Sequence, residues 1–367
     1  MENMVMDIKN NLYTETFKDL EKFYNKKKIL VTGHTGFKGS WLTEVLVMLG
    51  ANVTGYALKA DFPSLYDTLD IDEKINSVIG DIRDLEHLKS VFEKTEPELV
   101  IHLAAQPIVI DSYKKPVYTY ETNVMGTVNI LECIRLSKSV KSFLNVTTDK
   151  VYDNKEIDKG YVEEDILDGY DPYSNSKSCS ELVTHSYKRS FLTEQKIAVS
   201  TARAGNVIGG GDFAPNRIVP DCARAAMKKE DVIIRNPYSI RPYQHVLEPL
   251  YIYLMILKRQ YENREVFEGN FNVGPEDRDC INTEKLVSYF KEFWKEGFNY
   301  KIQSNNTFHE AGFLKLNCDK LKKVYSWKPV YDIKKAVEET AKWYKAYDAG
   351  EDMEEVTKNQ IKEFFTW

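Results

Sequence analysis

The chain alternates short apolar runs with segments of helical periodicity from residue 28 to residue 202, and this pattern constrains the fold most. The apolar runs lie at 28–32, 52–56, 75–79, 99–103, 142–146 and 196–202. After the first run, Leu42, Val45, Leu46 and Leu49 recur three and four positions apart, the spacing of one helix face. Strands that alternate with helices pair in parallel through right-handed crossovers. The pattern therefore predicts an α/β fold, a doubly wound parallel sheet with helices on both faces.

A second, smaller domain is predicted where this alternation ends, since 367 residues exceed one ordinary domain. We predict an N-terminal extension at 1–26, a larger domain at 27–207 plus about 243–275, and a smaller mixed α/β domain at about 208–242 and 276–367. In the extension, Phe17, Leu20 and Tyr24 recur at helical spacing. They predict a short amphipathic helix at the surface or at a subunit contact.

The composition excludes several classes of protein. With 43% hydrophobic and 29% charged residues, the chain is that of a globular protein. A net charge of −6 argues against a nucleic-acid partner, because such proteins carry a basic field that neutralises phosphates. No apolar stretch is long enough for a membrane span or a signal peptide. The five scattered cysteines predict reduced thiols, no metal site and a cytoplasmic location.

A glycine-rich turn follows the first predicted strand. Gly33, Gly36 and Gly39, with Thr35 and Phe37 between them, form the sequence GHTGFKG. Glycines let the backbone approach a pyrophosphate, and the following helix N-terminus presents unpaired N–H groups to it. As a bare pattern, the triplet fits a ligand-free turn equally well. Its position between a strand and a helix favours a dinucleotide site.

In dinucleotide sites of this kind, a residue at the end of the second strand contacts the adenosine ribose. Here that strand end is the segment 55–59, which has no Asp or Glu to accept a hydrogen bond from a 2′-hydroxyl. NADP therefore stays open beside NAD, because Lys38 and Lys59 can face a 2′-phosphate, although two solvated surface lysines are the favoured interpretation. Asp81, in GDIRD, can meet the adenine edge or simply cap a helix.

Tyr173 and Lys177 form a YxxxK pair behind Asp171 and Pro172, which predict a helix start. At i and i+4 the two side chains share one helix face, so the ammonium can stand beside the phenol. A nearby cation lowers the pKa of a phenol, which can then remove a hydroxyl proton. Alone, the pair equally describes an exposed helix with a Tyr and a Lys.

These motifs, with His102-Leu103-Ala104-Ala105 and with Asn123 in ETNVMGT, resemble the extended short-chain dehydrogenase/reductase family from about Lys27 to the C-terminal region. The resemblance implies a Rossmann fold whose larger domain binds NAD and whose smaller domain binds a nucleotide sugar. Asn123 would support the fold around the cofactor. The cofactor contacts that it implies are Gly33, Thr35, Gly36, Phe37, Gly39, Tyr56, Asp81, Ile82, Leu103, Ala104, Ala105, Asn123, Tyr173 and Lys177.

The segment NVTTDKVY at 145–152 distinguishes reactions within that family. It resembles the 4,6-dehydratases, which follow the Thr with an acid and a second proton-transfer residue, and its Lys resembles the cytidine branch. The resemblance implies that Tyr173 takes the C4-hydroxyl proton, Lys177 tunes the phenol, Thr148 bonds that hydroxyl, Asp149 is the acid and Lys150 removes the C5 proton. A loop ion pair between Asp149 and Lys150 is the alternative.

The chemistry explains why a dehydratase needs both residues. Oxidation at C4 makes a ketone that acidifies the C5 proton, so that a base can remove it while an acid protonates the leaving C6 hydroxyl. Hydride then returns to C6 and NAD is regenerated. The expected reaction converts CDP-D-glucose into CDP-4-keto-6-deoxy-D-glucose, a step of deoxysugar synthesis such as that of the lipopolysaccharide O-antigen.

Substrate contacts are implied by the same resemblance, most clearly by RPYQHVLEP at 241–249. A guanidinium can bind two phosphate oxygens at once, although an arginine is often only a surface charge. The implied substrate contacts are Gln106, Ser112, Asn206, Arg217, Arg235, Arg241 and His309. Ile110 and Asp111 depart from the cytidine branch, which carries an Arg after AAQP-x-V, so another nucleotide-hexose stays open.

Other functions stay open at this point. A nucleotide-sugar 4-epimerase would share the fold, NAD and the Tyr173/Lys177 pair but would use neither Asp149 nor Lys150. A nucleotide sensor without turnover is disfavoured because both pairs are present. The resemblance also implies a homodimer formed through two helices per subunit, one of which carries Tyr173.

Overall fold

The computed structural model describes residues 16–157, 159–303 and 313–366. The strands are β1 (Lys28–Thr32), β2 (Asn52–Ala57), β3 (Asn76–Ile79), β4 (Leu99–His102), β5 (Ser142–Thr148), β6 (Ala198–Ala204), β7 (Val207–Ile208), β8 (Asp231–Ile234), β9 (Ile240–Arg241), β10 (Gln244–His245), β11 (Asn270–Val273), β12 (Ile281–Asn282) and β13 (Asn299–Ile302).

The helices follow the same chain order. They are α1 (Phe17–Tyr24), α2 (Phe37–Met48), α3 (Leu65–Thr68), α4 (Ile71–Lys74), α5 (Leu85–Thr95), α6 (Val109–Lys114), α7 (Pro116–Tyr120), α8 (Gly126–Leu136), α9 (Pro172–Tyr187), α10 (Ile218–Lys228), α11 (Leu247–Glu262), α12 (Arg264–Phe267), α13 (Thr283–Trp294), α14 (Asp319–Tyr325), α15 (Ile333–Ala349) and α16 (Met353–Phe364). Single 3-10 turns occupy Asp149–Val151 and Asp277–Asp279.

The central sheet has seven strands in the order β11-β6-β5-β4-β1-β2-β3, and every neighbouring pair is parallel. This confirms the predicted doubly wound parallel sheet. Thr32, the last residue of β1, pairs with Tyr56 on one side and with His102 on the other. The strand order reverses at β1, so a crevice opens beyond the carboxyl ends of β1 and β4, where such sheets bind ligands.

Two strands differ from the sequence expectation, and both differences bear on that edge. β11 is a seventh strand beside β6, which the alternation missed because four residues with only two apolar side chains are too short a signal. β5 continues past the predicted end at 146 as far as Thr148, which pairs with Ala204. Thr147 and Thr148 are therefore held in the sheet rather than in a loop.

The helical segment that begins at Pro116 is interrupted rather than continuous. α7 leads through a π-helical turn at Glu121–Met125 into α8. α9 begins as expected, with Pro172 in its first turn and with the Asp171 side chain accepting a hydrogen bond from the Ser174 backbone N–H at 3.0 Å. This cap sets the rotation of the helix that carries Tyr173.

The core lies on both faces of the sheet, in two apolar clusters. Ile29 and Val31 of β1 belong to one cluster and Leu30 to the other, because successive strand side chains point to opposite faces. The first cluster includes α11, which is buried along 247–257 and covers one face. α5 and α8 cover the other face. This two-sided burial explains why the strands read as continuous apolar runs.

The remaining strands form three two-stranded sheets outside the central one, β7 with β10, β8 with β13, and β9 with β12. The predicted amphipathic helix near the N-terminus exists as α1. Leu20 and Tyr24 are buried, and the Tyr24 hydroxyl donates to the Leu254 carbonyl at 2.7 Å, so α1 packs against α11. Within the described ranges, every helix is too short or too polar to cross a membrane.

Candidate active site

The glycine turn fits against the end of β4 so closely that two of its positions exclude any side chain. A Cβ atom at Gly33 would lie 2.8 Å from the Ala104 backbone nitrogen, and Gly33 also has a φ of +80°. A Cβ atom at Gly39 would lie 2.0 Å from the Gly33 carbonyl oxygen. The turn and the first residues of α2 therefore form a cradle of bare backbone at the sheet edge.

The structure brings the predicted cofactor residues together in one cavity at this edge. Those that line it are Gly33, Thr35, Gly36, Phe37, Gly39, Tyr56, Asp81, Ile82, Leu103, Ala104, Ala105, Tyr173 and Lys177. Wall residues that the sequence did not indicate include Pro107, Tyr118, Thr122, Val146 and Thr147. Val146 and Thr147 reach the cavity at the carboxyl end of β5, and Tyr118 and Thr122 reach it from α7 and the π-helical turn that follows.

Asn123 lies behind the cavity and is 1% exposed. Its Oδ1 accepts the Gln106 backbone N–H at 2.8 Å, and its Nδ2 donates to the Gln106 carbonyl and to the Ser176 hydroxyl. These contacts join the segment after β4 to the start of α9. These internal contacts fit the fold-supporting role that the resemblance also implied for Asn123, and its contact with the cofactor stays a prediction.

Asp81 lines the cavity, but its carboxylate is held by Arg83 through the backbone N–H and through a two-point guanidinium contact at 2.7–3.1 Å. The Arg83 guanidinium in turn lies 4.9 Å from the Tyr118 ring centre. The Arg83 contact lowers the pKa of Asp81. An adenine edge at this wall would therefore meet an ionised, already paired carboxylate.

Lys38 differs from the expectation of a solvated surface lysine. Lys38 lies in the first turn of α2 and lines the cavity, whereas Lys59 is exposed. Burial lowers the pKa of Lys38 to about 8, Arg217 adds to the decrease, and Asp149 opposes it. Lys38 therefore shares the electrostatic surroundings of Arg217 and Asp149.

The Tyr173/Lys177 pair lies where the sequence placed it, on one face of α9. The Lys177 ammonium is 4% exposed and donates to the Val146 carbonyl at 3.1 Å. Burial lowers the pKa of Lys177 to about 8, helped by Lys38 and opposed by Glu181. Burial raises the pKa of Tyr173 to about 12, and the Thr148 hydroxyl acts against this rise.

Thr148, Asp149 and Lys150 follow at the carboxyl end of β5, on the 3-10 turn. The Asp149 carboxylate is fully buried, accepts the Thr148 hydroxyl at 2.9 Å and lies 3.4 Å from the Lys150 ammonium. Its Oδ2 atom is buried and has no hydrogen-bond partner among the described residues. Asp149 also raises the pKa of Tyr173, so the two predicted catalytic pairs adjoin. Asp149 and Lys150 thus form an ion pair, and the full burial of the Asp149 carboxylate distinguishes it from a solvent-exposed loop pair.

Two predicted substrate residues have internal partners. Gln106 donates from Nε2 to the Thr119 hydroxyl, and its Oε1 accepts the Ile108 N–H. The Ser112 hydroxyl donates to the Val109 carbonyl of its own helix and is fully buried. Both side chains are therefore engaged in holding the segment after β4.

The other predicted substrate residues lie on several elements. Arg217 lines the cavity and contacts Asp212 at 2.8 Å. Asn206 has a buried Oδ1 without a hydrogen-bond partner among the described residues. Arg241 is buried and donates to the Ile240 carbonyl, whereas Arg235 is exposed. His309 lies outside the described residues.

Known proteins share this chain's sequence and fold over most of its length. A family model described as GDP-mannose 4,6 dehydratase matches residues 30–340. The chain is 43% identical over 352 residues to the CDP-glucose 4,6-dehydratase of Salmonella typhimurium, covering 94% of this chain and 98% of that protein. It is 25% identical over 339 residues to the UDP-glucose 4-epimerase of Mycoplasma pneumoniae, covering 88% and 98%.

Solved structures show the same fold at lower identity. The dTDP-glucose 4,6-dehydratase of Bacillus anthracis, in complex with NAD, superposes with a TM-score of 0.74 at 22% identity. The match covers 89% of this chain and 98% of that one.

Replacing Lys38 by Met is expected to stabilise the fold at pH 7 by about 1–3 kcal/mol, at roughly 1.4 kcal/mol per pKa unit. The folded-state pKa of Lys38, about 8, is below its unfolded value of 10.5, so the cost of the buried charge is full below pH 8. It disappears as the pH rises from 8 to 10.5, and the advantage of Lys38→Met should shrink with it. Urea unfolding at pH 7 and pH 10 measures both effects.

The exposed Lys59→Met variant is the control and should change the unfolding free energy little at either pH. A Lys38→Met protein no more stable at pH 7 than Lys59→Met would show that the buried ammonium costs nothing.

Proposed function

Because the chain belongs to the GDP-mannose 4,6-dehydratase family, we propose that it is a NAD-dependent hydro-lyase that converts a nucleotide-hexose into its 4-keto-6-deoxy derivative. The substrate is CDP-D-glucose and the product CDP-4-keto-6-deoxy-D-glucose. Two features support this choice of nucleotide: the 43% identity to a CDP-glucose 4,6-dehydratase and the Lys at position 150. The observation that carries the reaction type is the buried Asp149, paired with Lys150 and adjacent to Tyr173.

The cavity fits NAD. The backbone cradle at Gly33 and Gly39 would hold the pyrophosphate, and the wall at Tyr56 and Ile82 would face the adenosine. Leu103–Ala105 and Lys177 would face the nicotinamide end. NAD, when bound, supplies the acceptor for the C4 hydride and returns that hydride to C6.

Tyr173 begins the reaction by removing the proton of the C4 hydroxyl. Its own pKa is raised by burial, so it needs cationic help, which the guanidinium of Arg217 provides and to which the ammonium of Lys177, one turn further along α9, would add. The Thr148 hydroxyl lies beside the phenol and orients the same sugar hydroxyl. Together these groups turn C4 into a ketone as its hydride departs.

Asp149 and Lys150 then carry out the elimination. Lys150 passes a proton to Asp149 across their 3.4 Å contact and then takes the C5 proton, which the C4 ketone has made acidic, and the electron pair forms the C5–C6 double bond. The C6 hydroxyl leaves as water with a proton from Asp149, whose buried Oδ2 is the atom available to hold one. Hydride return to C6 and proton return to C5 complete the product, with one water lost overall.

The nucleotide sugar extends from the cavity toward the second predicted domain, at 208–242 and 276–367. Arg217 and the unpaired Oδ1 of Asn206 support this direction, since both lie where the chain leaves β6 and β7. Arg241 and Arg235 would contact the diphosphate and nucleoside, with His309 near the nucleotide. Gln106 and Ser112 would act through the segment that they hold.

The first alternative function is a nucleotide-sugar 4-epimerase, which the 25% identity to a UDP-glucose 4-epimerase supports. A dehydratase for another nucleotide-hexose is the second alternative. Ile110 and Asp111, where the cytidine branch carries an Arg, lie in α6, and Asp111 faces Lys114 at 3.8 Å.

Incubation with CDP-, dTDP-, GDP- and UDP-hexoses should give loss of one water, detected by mass spectrometry, with CDP-D-glucose turned over best. Deuterium at C4 should reappear at C6, because one hydride is removed and returned. An epimerase would retain every oxygen and keep the label at C4, which would contradict the proposal.

Asp149→Asn and Lys150→Ala should slow water loss about 100-fold or more, the usual contribution of a general acid or base. The first hydride transfer, followed as absorbance at 340 nm in a single turnover, should change much less, and NAD binding should be retained. Asp153→Asn and Lys155→Ala are matched controls, since this exposed pair lies 2.8 Å apart on the following segment. Equal slowing of both steps would refute this division of roles.

We also propose a cytoplasmic homodimer that pairs through the α7–α8 and α9 helices. Four exposed apolar residues support this interface. They are Val117 and Leu182 on these helices, Met125 on the π-helical turn between α7 and α8, and Phe191 on the π-helical segment Lys188–Leu192 that follows α9. The five cysteines are free thiols. Leu182→Arg should convert the dimer to a monomer in light scattering. Val266→Arg, at an exposed apolar residue on α12, should leave the dimer intact. A monomeric native protein would exclude this interface.

A further inference from the structure

A buried polar network lies directly behind the two catalytic pairs, and its central residue is Arg203 of β6. The Arg203 side chain is 1% exposed and lies between Thr147 of β5 and Asn272 of β11 in the sheet register. Its Nη2 donates to the Glu181 carboxylate at 3.0 Å. Its Nη1 donates to the Tyr152 hydroxyl at 2.8 Å and to the Glu163 carbonyl at 2.9 Å.

One side of this network is the catalytic helix. Glu181 lies one turn beyond Lys177 on α9, is fully buried and opposes the decrease in the pKa of Lys177. Its two carboxylate oxygens accept the hydroxyls of Thr147 at 2.5 Å and Thr201 at 2.7 Å. Glu181 thus fixes α9 to β5 and β6 at the level of the catalytic lysine.

The other side is the turn that carries the acid and the base. Tyr152 follows the Asp149–Val151 turn directly and is 1% exposed. Its ring lies 5.2 Å from the Arg203 guanidinium, and its hydroxyl donates to Asn272 Oδ1 at 2.6 Å. Tyr152 therefore ties the end of the turn to the sheet through Arg203.

We propose that Arg203 is a positioning residue that keeps the Asp149–Lys150 turn in register with the helix bearing Tyr173 and Lys177. Only a planar guanidinium, with its fixed fork of N–H donors, can bind the Glu181 carboxylate and the Tyr152 hydroxyl together. A buried ion pair is weak support for stability, because desolvation offsets much of its attraction. The Arg203–Glu181 pair lies between the two catalytic pairs, and this placement indicates that it aligns them with each other. The inference rests on the proposed dehydration.

Arg203→Lys tests the proposal because it keeps the charge opposite Glu181 but cannot also hold Tyr152. The folded variant should bind NAD normally and keep its KM for the sugar within about twofold. Single-turnover hydride transfer should stay within about threefold, while C5 exchange with solvent deuterium and water loss slow 10- to 100-fold, the order expected of a misplaced reacting group. A purely structural role would lower the thermal midpoint and leave the ratio of the two steps unchanged.

Tyr152→Phe removes only the contact on the turn side and should reproduce the selective slowing of C5 exchange. Thr201→Val is the matched control, because it removes one hydrogen bond to Glu181 on the helix side and should leave the ratio of the two steps as in the native enzyme. Arg203→Lys or Tyr152→Phe proteins that slow both steps equally, or neither, would overturn the proposal.

A double-mutant cycle measured by thermal unfolding tests whether Arg203 couples the two sides of the network, independently of enzyme activity. Tyr152→Phe and Thr201→Val should shift the unfolding midpoint non-additively in the native background and additively in Arg203→Lys, because Arg203 connects their two sites. Additivity in the native background would overturn the proposal. If the native enzyme dehydrates no nucleotide-hexose, the proposed function is refuted. The unfolding cycle would then still test whether Arg203 couples the two sides of the network.

Discussion

The contact on which the site depends is the one between the glycine turn after β1 and the end of β4. Gly39 and Gly33 touch through backbone atoms, and Gly33 in turn meets Ala104, so no side chain fits between them. This approach places the N-terminus of α2 at the reversal of the strand order, where N–H groups and the helix dipole face outward together. The cofactor cradle follows from sterics and from the topology of the sheet.

Around that cradle the protein concentrates cations. Lys38, Lys177 and Arg217 line one cavity, and desolvation lowers the pKa of both lysines. Holding several positive charges in so small a volume costs stability, and two anionic ligands, a dinucleotide and a nucleotide sugar, offset that cost on binding.

Much of this could be predicted from the sequence. The strand–helix alternation predicted the sheet, since parallel strands buried on both faces must be apolar throughout, and the motifs predicted a common site that Gly33, Tyr173 and Lys177 line. Lys38, β11 and the Glu181–Arg203 pair were missed. A lone charged residue inside a helix or strand pattern looks like a solvated one, and its burial depends on neighbours distant in sequence.

The fold class, the glycine cradle and the shared helix face of Tyr173 and Lys177 could be inferred from the chain alone, because backbone conformation and i, i+4 spacing are local properties. Which polar groups are desolvated and which are already paired depends on the three-dimensional packing. Gln106 and Asn123 form internal hydrogen bonds, and Lys38 lies in the cavity wall near the charges of Arg217 and Asp149. Arg203 links α9 to the Asp149–Val151 turn. Those outcomes depend on the packing of α9 against β5 and β6, and such long-range contacts have no signature in a short stretch of chain.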